Sequence, residues 1–130
     1  MPNENLIIQL SLLEQQSQEI EKQIQLIDHQ INELQNLSIS LDKFNGEGEI
    51  LAPFGKGIFV KSEVKDKKLF MNIGSGIVVK KTPKEAVEIV ENQVDKLSAA
   101  KSELLEDMGK INAELIKLID LAEKSQESKD

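Results

Sequence analysis

The chain has 130 residues, a formal net charge of −7, 39% hydrophobic and 30% charged residues, and no cysteine. That balance excludes a disordered chain and any disulfide or thiolate-metal framework, and no apolar run approaches the roughly 18 residues that a spanning helix needs. A start of Met-Pro-Asn-Glu-Asn has no basic region ahead of an apolar core, so no secretory leader is expected, and the lack of cysteine fits a reducing, cytoplasmic location.

From the N-terminal side, apolar residues recur in alternating steps of four and three at Leu6, Leu10, Leu13, Ser17, Ile20, Ile24, Ile27, Ile31, Leu34, Ser38 and Leu41, with only the two serines polar. A seven-residue repeat held this long predicts a helix whose stripe is buried only against another long helix. Asn3 or Asn5 is the expected N-cap, and Asn45-Gly46 closes the element.

The middle of the chain contains an internal echo nineteen positions apart, Phe54-Gly55-Lys56-Gly57-Ile58-Phe59-Val60-Lys61 against Ile73-Gly74-Ser75-Gly76-Ile77-Val78-Val79-Lys80. Gly-x-Gly between β-rich runs supplies the positive φ values of a tight hairpin turn. Two hairpins follow, Glu49 to Phe54 with Ile58 to Val64 and Leu69 to Ile73 with Ile77 to Lys81, joined by a turn around Lys65-Asp66. Neither copy extends to GxGxxG or to Gly-Lys-Ser/Thr before a helix, so these glycines are read as turn residues and not as a phosphate cradle. Ile58-Phe59-Val60 and Ile77-Val78-Val79 are apolar on both faces, so something outside a four-stranded insert must cover them, and the open edges invite another chain's strands. Pro53 belongs near a strand end or edge.

Thr82-Pro83-Lys84-Glu85 then reads as a capping box with proline at the first helical position. A second stripe follows at Val87, Val90, Val94, Leu97, Lys101, Leu104, Met108, Ile111, Leu115, Leu118 and Ala122, with Lys101 its one break. If the chain folds back in the middle, stripe positions whose numbers add to 128 face each other. Leu6 then meets Ala122, Ile24 meets Leu104 and Leu41 meets Val87, while Ser17, Ser38 and Lys101 fall opposite Ile111, Val90 and Ile27. The expected fold class is α+β, mostly α: a long antiparallel two-helix coiled coil with two central β-hairpins. At about 1.5 Å per residue the helices form an arm roughly 60 Å long. Its parts are an N-terminal coiled-coil helix over 1–45, a double hairpin over 46–81, a C-terminal coiled-coil helix over 82–124 and a disordered polar tail over 125–130, one domain in all.

The charge is unevenly placed: residues 1–44 and 83–130 each carry −5, and residues 45–82 carry +3. Acidic helices repel phosphate backbones, and lysines without arginine or interleaved aromatics make a poor nucleic-acid surface. Lys65, Lys67 and Lys68 are read as a solvated turn. His29, the single histidine, falls on the outer face of the first helix, and carboxylates such as Glu106 and Asp107 are ordinary helix exterior. No nucleophile triad, metal-ligand cluster or nucleotide loop can be assembled, so no catalytic, cofactor-binding or metal-binding residues are assigned. Neither a nucleic acid nor a membrane is an expected partner, and the protein is read as a non-enzyme.

Heptad helix, double Gly-x-Gly hairpin and heptad helix, with Pro-Phe-Gly-Lys-Gly-Ile-Phe-Val at 53–60, Ile-Gly-Ser-Gly-Ile-Val-Val at 73–79 and Thr-Pro-Lys-Glu-Ala at 82–86, resemble the α class of prefoldin subunits over nearly the whole chain. The class rests on the insert, since β-class subunits carry one hairpin. The resemblance implies an archaeal-type subunit of a chaperone in which two α and four β subunits join through their hairpins into an oligomeric β-barrel platform. Ile50, Leu51, Ile58, Phe59, Val60, Leu69, Met71, Ile73, Ile77, Val78 and Val79 would make those oligomerisation contacts. It further implies capture of unfolded polypeptide at the coiled-coil tips without ATP, and delivery to a group II chaperonin.

The residues supply a matching surface. Large apolar residues outside the stripe cluster near the helix termini, with Ile7 and Ile8 at heptad positions e and f, Leu12 at c, Ile116 at b, Ile119 at e and Leu121 at g. With the stripe residues Leu6 and Leu115 these form the expected client-binding tip, acting by non-directional burial worth roughly 25 cal/mol per Å². Elsewhere such residues are scarcer, at Leu26, Ile39, Ile89 and Leu105, and Met71 and Met108 are read as core filler. Two alternatives remain open on the residues alone: a filament-forming protein growing through its strand edges, and an adaptor whose acidic helices dock a basic partner.

Overall fold

The computed structural model describes residues 2–127. Its elements are helix α1 (Pro2–Lys43), strands β1 (Glu49–Gly55), β2 (Ile58–Glu63), β3 (Leu69–Gly74) and β4 (Ile77–Lys81), and helix α2 (Pro83–Glu127). The chain divides into two compact units, Met1–Ile31 with Lys96–Asp130, and Asn32–Asp95.

In the first unit the two helix segments shelter only their heptad stripes. Between Glu4 and Ile31 the half-buried residues are Leu6, Leu10, Leu13, Ser17, Ile20, Ile24, Ile27 and Ile31, and between Lys96 and Lys124 they are Leu97, Lys101, Leu104, Met108, Ile111, Leu115, Leu118 and Ala122. Every other side chain in those stretches is exposed. Both polar breaks find partners. The Ser17 hydroxyl donates to Met108 Sδ at 3.2 Å, one stripe step from Ile111, and Lys101 Nζ lies 2.6 Å from Asp28 Oδ1, beside the expected Ile27. A flexible lysine stem covers apolar surface while its ammonium leaves the stripe for a carboxylate.

The second unit holds the hairpins and the adjoining helix ends. Its core is small: Val90 (2% exposed) and Ala86 (1%) are the buried apolar side chains among the described residues. β1 pairs with β2 and β3 with β4, both antiparallel, in two separate two-stranded sheets. Both turns have two-residue loops, Lys56-Gly57 (φ 47° and 81°) and Ser75-Gly76 (φ 52° and 74°). Positive φ at both central residues is what a type I′ turn requires, so the central Lys56 and Ser75 adopt the left-handed region as well as the glycines. Just before each turn the register shifts, because Phe54 is skipped between Pro53 and Gly55 and Ile73 between Asn72 and Gly74. The nineteen-residue echo is therefore a repeated bulge as well as a repeated turn.

The helix termini depart from expectation at two places. α1 begins at Pro2, upstream of both Asn3 and Asn5, so neither asparagine is its N-cap; proline suits a first helical turn and Glu4 complements the helix dipole there. α2 continues to Glu127, where a disordered tail was expected from residue 125. No glycine or proline interrupts Ala122 to Glu127, and Lys124 reaches back to Asp120 at 3.5 Å, one turn earlier. Residues 128–130 of the expected tail lie outside the described residues.

At the start of α2 the capping box forms as read: the Glu85 backbone N–H donates to Thr82 Oγ1 and the Thr82 backbone N–H donates to Glu85 Oε1, both at 3.2 Å. Those bonds from the Thr82 backbone and hydroxyl hold the Glu85 carboxyl below its usual pKa, with Lys81 adding a smaller effect. Because the folded pKa is lowered, the contribution is present above the ordinary carboxylate pKa of about 4.3 and is lost as pH falls through the folded value. The Glu85→Gln variant should therefore melt below the wild type at pH 7 and converge with it in acid, measured by circular dichroism.

Gly46 is buried with φ +77°, and a Cβ there would sit 2.5 Å from Lys67 Cγ and 3.0 Å from the Lys67 backbone nitrogen. Close approach to the loop between the hairpins thus requires glycine. Gly48 (φ +104°) has open space around it. Gly46→Ala should cost about 1–3 kcal/mol and lower the melting temperature more than Gly48→Ala, which carries backbone strain alone.

Candidate functional site

Two groups of exposed apolar residues stand out. The first lies on the hairpins. In β1–β2, cross-strand pairing puts Ile50, Ala52, Val60 and Ser62 on one face and Leu51, Pro53, Phe59 and Lys61 on the other. Ile50 and Val60 are exposed on the first face, Leu51 (67%) and Phe59 on the second. Exposed apolar side chains thus lie on both faces of this hairpin, with Ala52 and Ser62 half-buried on the first. In β3–β4, Leu69, Met71, Val79 and Lys81 share a half-buried face, while Phe70, Asn72, Val78 and Lys80 share an exposed one.

Of the residues expected to make oligomerisation contacts, Ile50, Leu51, Ile58, Phe59, Val60, Ile73, Ile77 and Val78 are exposed, and Leu69, Met71 and Val79 are half-buried in this chain. Sequence reasoning missed the two barest aromatic rings, Phe54 (78%) and Phe70 (71%). Phe54 is the bulged residue of β1, and Phe70 has Lys80 Nζ 5.8 Å above its ring. Alternation along β3 carries the signal for Phe70: Leu69 and Met71 turn inward, so Phe70 faces out.

The second group lies at the terminal end of the helix-pair unit. Ile7 (65%), Ile8, Leu12, Ile116 (68%), Ile119 and Leu121 are all exposed, whereas Leu6 and Leu115, expected among them, are half-buried in the stripe. Leu12 and Leu121 line a shallow groove with Leu13 and Leu118, rimmed by Gln9, Gln16, Glu114 and Lys117. Leu26, Ile39 and Leu105 are exposed farther along the helices, as is Leu37, which the heptad reading did not single out. Ile89 is half-buried, on the same stretch of α2 that buries Ala86 and Val90.

Among the described residues there is no group of three or more His, Asp or Glu placed to hold a metal ion, and no helix long and apolar enough to cross a membrane. His29 is exposed.

Two long heptad helices with a pair of two-stranded hairpins between them, and apolar side chains bare on the strands and at the helix termini, define a coiled-coil subunit of the prefoldin type. A family model for prefoldin subunits matches residues 13–128, and this chain belongs to that family. Similar proteins include prefoldin subunit alpha from Thermofilum pendens, 31% identical over 116 residues covering 86% of this chain and 90% of the relative. Prefoldin subunit alpha from Methanobrevibacter smithii is 30% identical over 128 residues, covering 91% and 88%; that from Methanococcus vannielii is 28% identical over 116 residues, covering 88% and 80%. The fold is similar to that in a cryo-EM structure of filamentous PFD from Methanocaldococcus jannaschii, with TM-score 0.51 and 20% identity over 90% of this chain and 94% of that one. The resemblance to the α class read from the insert is thereby supported, and the family is one of chaperone subunits, not of enzymes.

Proposed function

We propose that this chain is the α-class subunit of a cytoplasmic, ATP-independent holdase. It joins β-class subunits through its two hairpins, in the ratio of two α to four β, as a β-barrel platform. Unfolded polypeptide is held at the helix termini and passed to a group II chaperonin.

The observation that carries the reading is the placement of bare apolar side chains. Among the described residues, ten of the large exposed ones sit on the four strands and six at the terminal end of the helices. A two-stranded hairpin with both faces apolar is not stable alone in water, so β1–β2 needs layers on each side, which neighbouring subunits' hairpins supply. Each strand pairs within the chain along one edge only, which leaves the other edge for a neighbour's backbone. The expected oligomerisation residues belong to that contact, with Phe54 and Phe70 added to them.

Client capture rests on Ile7, Ile8, Leu12, Ile116, Ile119 and Leu121, with Leu6 and Leu115 supporting them from the stripe. Burial of aliphatic surface has no sequence requirement, which suits a protein that must accept many unfolded chains.

The test is dilution of a denatured model protein into buffer with this chain, alone and with a β-class subunit, without ATP, while light scattering reports assembly mass. Suppressed aggregation by a defined hexamer is expected. An assembly that grows without limit would favour the filament reading instead, and one salt-sensitive partner in place of many clients would favour the adaptor. Replacing Ile7, Ile8, Ile119 and Leu121 together with serine should leave helicity and assembly mass unchanged, because all four side chains are exposed, and should abolish the protection. Protection that survives the four changes would place client binding elsewhere.

A further inference from the structure

The two sides of the helix pair differ in chemistry. Heptad positions g and c flank one side of the stripe and positions e and b the other. The geometry bears this division out: the groove beside Leu12 and Leu121 is formed from stripe, g and c residues of both helices. On the opposite side the stripe residue Lys101 reaches Asp28, an e residue of α1.

The lysines of this α2 stretch outside the stripe, Lys96, Lys110, Lys117 and Lys124, all fall in its c column, on the groove side, where α1 presents glutamines at 9, 16, 23 and 30. The e and b columns contain no lysine between residues 4 and 28 or between 98 and 123. They carry instead Ile7, Ile116 and Ile119, bracketed by Glu4 and Glu123 toward the termini and by Glu14 and Glu21 along α1. All of these side chains are exposed.

Resting on the client-binding reading above, we infer that the e/b side of the terminal end is the docking surface for one class of client segment: an extended aliphatic stretch flanked by basic residues. The three isoleucines take the aliphatic side chains. Glu4, Glu14, Glu21 and Glu123 meet lysine or arginine on either flank. A segment with acidic flanks gains the same burial but places like charges together, so the surface ranks clients by flanking charge while burial supplies the common affinity. On the groove side Glu19, Glu103, Asp107 and Glu114 are interspersed with Lys96, Lys110, Lys117 and Lys124 and with the glutamines, so that side has a weaker preference for cations.

The test is fluorescence anisotropy of the full-length chain with labelled peptides that share a Leu/Ile core and carry lysine, glutamate or serine flanks. At about 20 mM salt the lysine-flanked peptide should bind roughly fivefold tighter than the glutamate-flanked one, and at about 300 mM the difference should shrink to about twofold or less. Glu4→Gln, Glu14→Gln and Glu21→Gln combined should erase the preference and leave the serine-flanked affinity unchanged. The same charge change on the groove side, Glu103→Gln, Asp107→Gln and Glu114→Gln, should preserve it. Equal binding of lysine- and glutamate-flanked peptides by the wild type overturns the inference, as does a preference lost equally in both triple variants, which would make it a property of net charge. Failure of all three peptides to bind overturns client capture at the termini, and this inference with it.

Discussion

The seven-residue apolar repeat is the constraint on which everything else depends. Isolated helices gain little from propensity in water, and in proteins most helical stability comes from packing an apolar face. Stripe residues on α1 and α2 are the ones sheltered in both units, and nearly everything else on the helices faces solvent. A half-buried aliphatic side chain contributes on the order of 1 kcal/mol, so the structure stands on many small equal terms and not on a deep core. That explains why polar breaks are tolerated where they occur. Ser17 keeps a hydrogen bond to Met108, and Lys101 keeps its charge paired at a partly exposed site, where such a pair contributes little but penalises other registers.

A stripe supplies no end to itself, so the ends and the reversal are set by local chemistry. Thr82 and Glu85 satisfy each other's backbone N–H groups at the start of α2. Asn45 accepts the Glu47 N–H, and Asp66 accepts the Lys68 N–H, which shapes the two loops that bracket the first hairpin. Gly46 lies against the second of those loops, so the exit from α1 and the link between the hairpins are fixed by the same contact.

Much of this was legible because periodicity is a property of spacing alone: each stripe position named from the sequence is a sheltered one. Turns and capping were legible for the same reason, since Gly-x-Gly and Thr-Pro-Lys-Glu act within four residues. What escaped depends on neighbours. Phe54 was read as the last residue of a regular strand, but the bulge takes it out of the ladder, and a bulge is set by pairing register. Leu6 and Leu115 were assigned to the stripe and to the tip together, and only packing shows that their partners shelter them. Ile89 was counted as surplus surface, yet it lies on the stretch of α2 that buries Ala86 and Val90. The start of α1 and the end of α2 were the weakest part, because neither Pro2 nor the polar stretch after Ala122 carries a signal strong enough to place a terminus.

The two bare apolar surfaces also differ in what they offer a second molecule. Helix backbone groups are satisfied internally, so the terminal end presents side chains alone; contact there is non-directional, tolerant of sequence and easily reversed. Strand edges present backbone N–H and C=O groups in fixed register beside apolar faces, so contact there is directional and becomes strong once water is excluded. Burying β1–β2 on both faces would hide Leu51 and Phe59 as well as Ile50 and Val60, and once hidden they have no reason to part. Under the proposed function, one chain would separate a lasting contact from a passing one by assigning the first to strands and the second to helices. The physical difference between the two secondary structures, more than any difference in hydrophobicity, would keep the roles apart.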